Sequence, residues 1–543
     1  MIETLIKNAE VYDGTGGDPI MADIGISGGM IEFVAPGVLV NAQNVIDASG
    51  LTACPGFIDI HGHSEFSLVA APEAESKLLQ GITTEVAGNC GFSAAPIFNA
   101  AVGHMEKEFI THGINEKPRW NTFAQYRRRL HEARPGINLA TLAGHGNLRA
   151  SVIGYENRRA TGEDMAAMAE LLTRAVLDGA IGLSTGLIYS PGVYCDTDEL
   201  VALIERSGLR DLIYTTHMRS EGDRLIESVA ETLEIARRTG IAVHLSHLKT
   251  AGKHNWHKID ALAGMLQEAR APAGYGLRVT CDRYPYTASQ TSLDTVLPAW
   301  VYEGGDEAEL ERLKNPATLE RIRHEIKRSG RTEDGYWGRV MVGSVGSNEN
   351  RRAEGRTIED LAREAGFSET PLDYVIKLLI EERLRVDAIF FSMSEDNLMR
   401  ILSLPFCMIG TDSTARNFPD DPGGPGGSGG SGGHGKPHPR GFGSFPRFFG
   451  KYVRSEGLMP LKEAVRKTCG LPAEVFLKNI TKRGFLKAGY YADLVLFNKD
   501  EIIDTALYEA PYRAPLGIDR IFVNGREAVR HGKLTGERAG MVL

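Results

Sequence analysis

Long apolar runs are missing from this sequence. No stretch of roughly 18 apolar residues occurs, so no spanning helix is expected. The opening residues, MIETLIKNAEVYDG, lack a basic segment followed by an apolar core, which argues against a secretory leader. Cysteine is scarce: six residues (54, 90, 195, 281, 407 and 469) are scattered through 543 with no paired spacing. A disulfide framework is therefore not expected, and a reducing cytoplasm is. Basic charge is not in excess. The formal net charge of -9 gives no electrostatic reason to expect nucleic acid or an anionic membrane as partner. An internal repeat of solenoid length is absent too.

What is present suits a large soluble enzyme or scaffold. The apolar fraction is 42% and the charged fraction 24%, both ordinary for a globular chain. The length accommodates a large barrel or sheet plus a smaller domain. The two ends are alike in texture. TLIKNAEVYDG, ADIGISGGMIEFVAPG and NVIDASG near the start, and ADLVLFNKDEIID and GIDRIFVNGREAVRHGKL near the finish, read as strands punctuated by turns. They predict one small β-sandwich domain from residues 1–54 and 482–543.

Between the ends, residues 55–481 alternate strands with helices. Eight strand candidates stand out: TACPGFIDIHGH, GITTEVAGNCG, INLATLAGHGN, AIGLSTGLIY, DLIYTTHMRS, IAVHLSHLK, LRVTCDRYPY and FCMIGTDST. Each is apolar or β-branched, as parallel strands buried on both faces are. Helical patterns such as GEDMAAMAELLTRAVLDG and RLIESVAETLEIARRTG separate several of them. The fold class is α/β, and the expected architecture is a (β/α)8 TIM-like barrel. An insertion is expected at about 291–345. A Gly-rich mobile loop is expected at about 417–437, serving as a lid, a disordered tip or an engineered replacement.

In such a barrel, reactive groups sit at strand C-termini. Strand one ends in His61 and His63, strand two in Cys90, strand five in His217, strand six in His247 and strand eight in Asp412. Imidazole, thiolate and carboxylate are the donors of a borderline-soft divalent ion. Any one of them alone reads as a satisfied polar residue; six at the same end of the strands do not. His244, three before His247, should face the other way and is structural. His145 lies at the right end of strand three, with site and packing roles equally open. His254, His257, His434 and His438 read as loop residues, and Arg219 and Glu221 as a local ion pair or as groups orienting His217.

PGFIDIHGH, GNCG, THMRSE, HLSHLK, YPYTAS and GTDS together resemble the amidohydrolase superfamily, and within it the N-acyl-D-amino-acid deacylase (D-aminoacylase) family. The resemblance extends over nearly the whole chain, including HGKPHPRGFGSFPRFFGKYVR. It implies hydrolysis of the amide of an N-acyl-D-amino acid. Zn2+ would be held tightly by Cys90, His217 and His247, with His61 and His63 offering a second, weaker position that the sulfur can bridge. Related hydantoinases and dihydroorotases bridge two metals with a carboxylated lysine on strand four, and this strand four has no lysine. A bound zinc lowers the pKa of its water to roughly 7. Asp412 would then take the proton of the attacking water and pass it to the leaving nitrogen. Lys249, Tyr284 and Ser289 are the implied grips on the substrate carboxylate, and Arg283 and Arg416 are loop cations near the mouth. Two alternatives stay open at this point: another amidohydrolase, such as a D-peptide dipeptidase or cyclic amidase, or a non-catalytic scaffold. Oligomeric state and side-chain preference are not legible.

Overall fold

A computed structural model of the protein describes residues 1–114, 119–208, 211–329, 335–419 and 435–543. The core of the Gly-rich segment expected at about 417–437, and His434 with it, lies outside the described residues.

The chain opens with β1 (Ile2–Val11), β2 (Ile20–Ser27), β3 (Met30–Ala35), β4 (Ala42–Asp47) and β5 (Thr52–Pro55). Then come strands whose residues are almost all buried: β6 (Phe57–Asp59), β7 (Ile82–Ala87), β8 (Asn138–Thr141), β9 (Ala143–Gly144), β10 (Gly182–Gly186), β11 (Ile213–His217), β12 (Ala242–Leu245) and β13 (Val279–Arg283). Next are β14 (Ala288–Ser292), β15 (Val340–Val345) and β16 (Val386–Phe391), followed by β17 (Cys407–Ile409). The finish is β18 (Leu494–Phe497), β19 (Ile518–Val523), β20 (Arg526–Arg530) and β21 (Lys533–Leu534).

Two parallel sheets carry the site, one ordered β6-β7-β8 and the other β17-β13-β12-β11-β10-β9. Only Leu142 separates β8 from β9, and its N–H donates to Ala87 O at 2.9 Å. At the opposite margin a single parallel bridge, Gly62 to Ser413, joins the sheets. There Asp412 N–H donates to His61 O (2.7 Å) and His63 N–H to Ser413 O (3.1 Å). All eight expected strands are present in the expected order.

Helices follow the sequence logic. Gly162–Leu177 starts at a capping box of Thr161 and Asp164 and buries Met165, Met168, Ala169 and Leu172, one face at helical spacing. The first strand candidate divides in two. Thr52–Pro55 joins the sheet of the chain ends and Phe57–Asp59 the parallel set. Gly56 lies at the break, where a Cβ would stand 2.1 Å from Thr83 Oγ1.

The segment between β13 and β17 is longer than the 291–345 expected. Its antiparallel sheet, β14-β16-β15, runs to Phe391, and its separate core includes Leu293, Val301, Ile322, Val342, Val375, Leu379 and Ala388. Helix and strand patterns resume after Val345, so periodicity alone does not separate this part from the parallel strands. The two chain ends build one nine-stranded sheet, β5 pairing antiparallel with β18.

Candidate metal centre

Cys90 ends the turn after β7 in the left-handed region, at φ +54°. Its buried Sγ lies 3.3 Å from His61 Nε2 and 3.5 Å from His247 Nε2. His61, Cys90, His247 and Asp412 each present a donor atom within 4.8 Å of the others. His217, Glu221 and His247 form a second such group, sharing His247. The His217 and His247 rings are 4.4 Å apart, and His63 Nε2 is 3.2 Å from Asp412 Oδ1. His247 and Asp412 also have positive φ, +36° and +49°. Strained non-glycine backbone of this kind persists only where its surroundings over-determine it.

Charge is balanced within the cluster. Burial pushes the Cys90 thiol up, yet His61, His217 and His247 around it hold it well below its ordinary value, as a thiolate. Burial likewise opposes ionisation of Asp412, and Arg440, His247, His63 and His61 more than offset it. Burial lowers the proton affinity of His217, which keeps that imidazole neutral, the form that binds a metal.

Behind these groups sits a shell of acceptors. Asp282 takes His61 Nδ1 (3.0 Å), His244 Nε2 (2.9 Å) and His247 N–H (3.0 Å). The other ring nitrogen of His244 lies 2.8 Å from Thr280 Oγ1, and its ring packs on Phe476, so His244 backs the centre through Asp282. Glu221 Oε1 lies 2.7 Å from His247 Nδ1 and pairs with Lys249. Arg219 does not pair with Glu221. Its guanidinium reaches Glu231 (3.0 Å) and the carbonyls of Val193 and Cys195, because helix Leu225–Thr239 carries Glu231 back beneath the loop.

Of the other candidates, Lys249 and Tyr284 border the centre, and the rest lie apart from it. Lys249 Nζ contacts His247 Nδ1 at 2.8 Å, so its charge is already shared with Glu221. Tyr284 is buried with no partner for its hydroxyl. Arg283 and Arg440 lie 4.2 and 4.7 Å from its ring, and together with Lys249 they lower its proton affinity against burial. Ser289 lies on β14 opposite Phe390. His145 belongs elsewhere, on Glu199 (3.0 Å) with Arg149. His254 pairs with Asp223 near the surface. Arg416 O accepts from Ser76 N–H (2.8 Å), and Arg416 N–H donates to Ser76 Oγ (3.0 Å). His438 is buried, its Nε2 on Ala288 O and its Nδ1 accepting from Arg440 N–H.

Sequence reasoning gave no role to Arg440, whose Nη1 lies 2.8 Å from Asp412 Oδ2, or to Asp282. Their signals are faint: a lone Arg in PHPRG and an Asp on a strand already credited with packing.

The residues fit a soft divalent cation. One thiolate, clustered imidazoles and a carboxylate are zinc's usual donors. Among the described residues neither ring nitrogen of buried His217 has a hydrogen-bond partner, the nearest carboxylate oxygen being Glu221 Oε2 at 3.8 Å from Nε2, a costly arrangement unless a ligand is received there.

Comparison with known proteins agrees. Residues 44–387 match the model of the Amidohydrolase family. A D-aminoacylase of Alcaligenes xylosoxydans xylosoxydans is 32% identical over 100% of this chain and 97% of its own length. An N-acyl-D-aspartate deacylase of the same organism is 34% identical over 99% and 94%. Among solved structures, an N-acyl-D-glutamate deacylase from Bordetella bronchiseptica, complexed with zinc and a phosphonate inhibitor, superposes with a TM-score of 0.80. It is 31% identical, with 100% of this chain and 99% of that one covered. The chain belongs to the amidohydrolase family. Among the described residues, no helix is long and apolar enough to cross a membrane.

Proposed function

We propose that this protein is a zinc-dependent N-acyl-D-amino-acid deacylase, which hydrolyses the amide to a carboxylate and a free D-amino acid. The observation that carries the reading is the Cys90 sulfur set between His61 and His247 beside an unpartnered His217. Full-length relatedness to deacylases of neutral and acidic N-acyl-D-amino acids supports the same reaction.

In this reading residues 55–481 are a closed (β/α)8 barrel, with the 288–391 insertion beside its mouth. Residues 1–54 and 482–543 are a sandwich whose core includes Ile6, Ile24, Ile46, Leu494 and Phe522. All six cysteines are free and buried, which supports a cytoplasmic setting.

Cys90, His217 and His247 would hold the tight zinc, and His61 and His63 would offer the weaker position. Strand β10 reads GLSTG and has no lysine, so a carboxylated lysine could not serve there, and the Cys90 sulfur between His61 and His247 would be a donor open to both positions. Zinc bound there supplies Lewis acidity, polarising a carbonyl and acidifying water. Asp412 accepts the proton of the attacking water and returns it to the leaving nitrogen, held in orientation by Arg440. The free hydroxyl of Tyr284, with Lys249 and Ser289, receives the substrate carboxylate.

A panel of N-acetyl-D- and N-acetyl-L-amino acids, assayed with metal content on the same sample, tests the proposal. Turnover of D forms is expected, and turnover of L forms alone would refute it. Asp412→Asn is expected to keep its zinc and lose about 10²–10⁴-fold in kcat; wild-type turnover would remove Asp412 from the mechanism.

A further inference from the structure

Lys77 is fully buried, in the short helix Glu75–Leu78 that precedes β7. Its ammonium meets four acceptors: Asp59 Oδ2 at 2.7 Å, Thr411 Oγ1 at 2.7 Å, Ser413 O at 2.9 Å and Glu85 Oε2 at 3.0 Å. Replacing a buried ionic group with apolar residues is often neutral or stabilising, so stability alone is a weak reason for this arrangement.

The partners give a better one. Asp59 also accepts from His61 N–H (3.2 Å), Thr411 N–H (2.9 Å) and Thr411 Oγ1 (2.6 Å). Glu85 accepts from Ser64 N–H (3.0 Å) and Ser64 Oγ (2.8 Å), and Ser64 Oγ accepts from Ala415 N–H (2.7 Å). Through these bonds the network reaches His61 itself, Ser64 beside His63, and Thr411 and Ser413 on either side of Asp412. Thr411 and Ser413, the two direct neighbours of Asp412, both end on the Lys77 ammonium.

This is also where the parallel strands are least joined. Between β17 and β6 there is one bridge, Gly62 to Ser413, where other neighbours share a ladder. Asp412 sits at this junction at φ +49°, a conformation costing about 1–2 kcal/mol for an L-residue, so something must pin its flanks.

We propose that Lys77 is a positioning residue for Asp412: one buried ammonium, holding Thr411 Oγ1 and Ser413 O, reinforces a junction that has a single strand bridge and fixes the backbone that aims the carboxylate. The claim rests on the reading of Asp412 as the proton-transferring group. Lys77 touches neither substrate nor any proposed metal donor; it acts through backbone.

Two substitutions test it, Lys77→Met and the near-isosteric Thr411→Val, each in the full-length zinc-loaded protein. The readouts are kcat and KM on an N-acetyl-D-amino acid, circular dichroism, and amide hydrogen exchange of residues 411–413. Expected are a kcat lower by roughly 100-fold for Lys77→Met and 10-fold for Thr411→Val, KM within two-fold, unchanged circular dichroism and faster exchange at 411–413. A purely structural lysine would lower stability and leave the kcat of the folded fraction intact, so a wild-type kcat in either folded variant overturns the proposal. If Lys77→Met does not fold, Thr411→Val decides alone. If the wild-type protein hydrolyses no N-acyl-D-amino acid, the deacylase reading fails separately. Exchange then reads the Lys77 claim by itself, and unchanged protection at 411–413 overturns it.

Discussion

Gly91→Ala is the substitution whose consequence the geometry determines most closely. Gly91 follows Cys90 and has φ +79°. A Cβ there would lie 2.6 Å from the Gly186 backbone N and 3.1 Å from Thr185 C, against about 3.4 Å for the onset of ordinary contact. Strand β10 and the Cys90 turn would have to separate by about 0.8 Å. Both opposing atoms are backbone, so no side chain swings aside. The left-handed conformation adds about 1–2 kcal/mol and the overpacking about 1–3 kcal/mol, a destabilisation of roughly 2–5 kcal/mol in total. Metal–ligand distances hold to within about 0.2 Å of their usual values, so a shift of this size in the turn that carries Cys90 is expected to disturb the sulfur's place in the donor set. Gly91→Ala is expected to lose tight zinc as well as stability. Gly103, in helix Ala101–Thr111 with open space where its Cβ would be, is the matched control; Ala there gains about 1 kcal/mol of helix propensity. Zinc stoichiometry after gel filtration, chelator competition and thermal melting report both effects. Full zinc occupancy with an unchanged melting temperature in Gly91→Ala would refute the reasoning.

Other outcomes follow from the same structure. Glu221→Gln weakens the acceptor on His247 Nδ1 and is expected to reduce zinc affinity about 10–100-fold, read by competition with a chromogenic chelator; unaltered affinity would leave Glu221 serving Lys249 alone. Glu309 is buried beside Asp294 and Asp306, and burial followed by those charges pushes its carboxyl up to about 9. Its folded pKa lies above its unfolded one, so its contribution is fully present below about 4.5 and is lost as pH rises through about 9. Urea midpoints at pH 5 and pH 8 are therefore expected to differ more for the wild type than for Glu309→Gln, and equal differences would dismiss the assignment.

The positions of the eight parallel strands were legible because parallel strands buried on both faces are locally distinctive, and their ends brought His61, Cys90, His247 and Asp412 onto one side. Strand periodicity set His244 and His247 on opposite faces, yet His247 lies past the end of β12 at positive φ and both meet Asp282. What stayed illegible is set by long side chains that meet partners on other elements, at separations from 12 to 336 residues. Glu231 takes Arg219 from a helix face, Arg440 reaches Asp412 from beyond the Gly-rich segment, and Lys77 reaches Ser413 from 336 residues away. No local pattern encodes such pairs. Lysine at 249 was readable as a cation on the face of His247; that Glu221 neutralises it was not. The insertion's end was missed for a related reason, since β16 and its preceding helices repeat the rhythm of the units around them.

The sheet shared by the chain ends bears on how the molecule is made. Pro55 finds its partner Leu494 only after roughly 440 further residues have been synthesised, about 20–90 s at ordinary ribosomal speed. Through that interval the edge of β5 has no β18 to cover it, and an uncovered edge invites pairing with other chains. The late-arriving strands thus act as a closing clasp, and the yield of soluble protein should depend on how well nascent chains are shielded until it fastens.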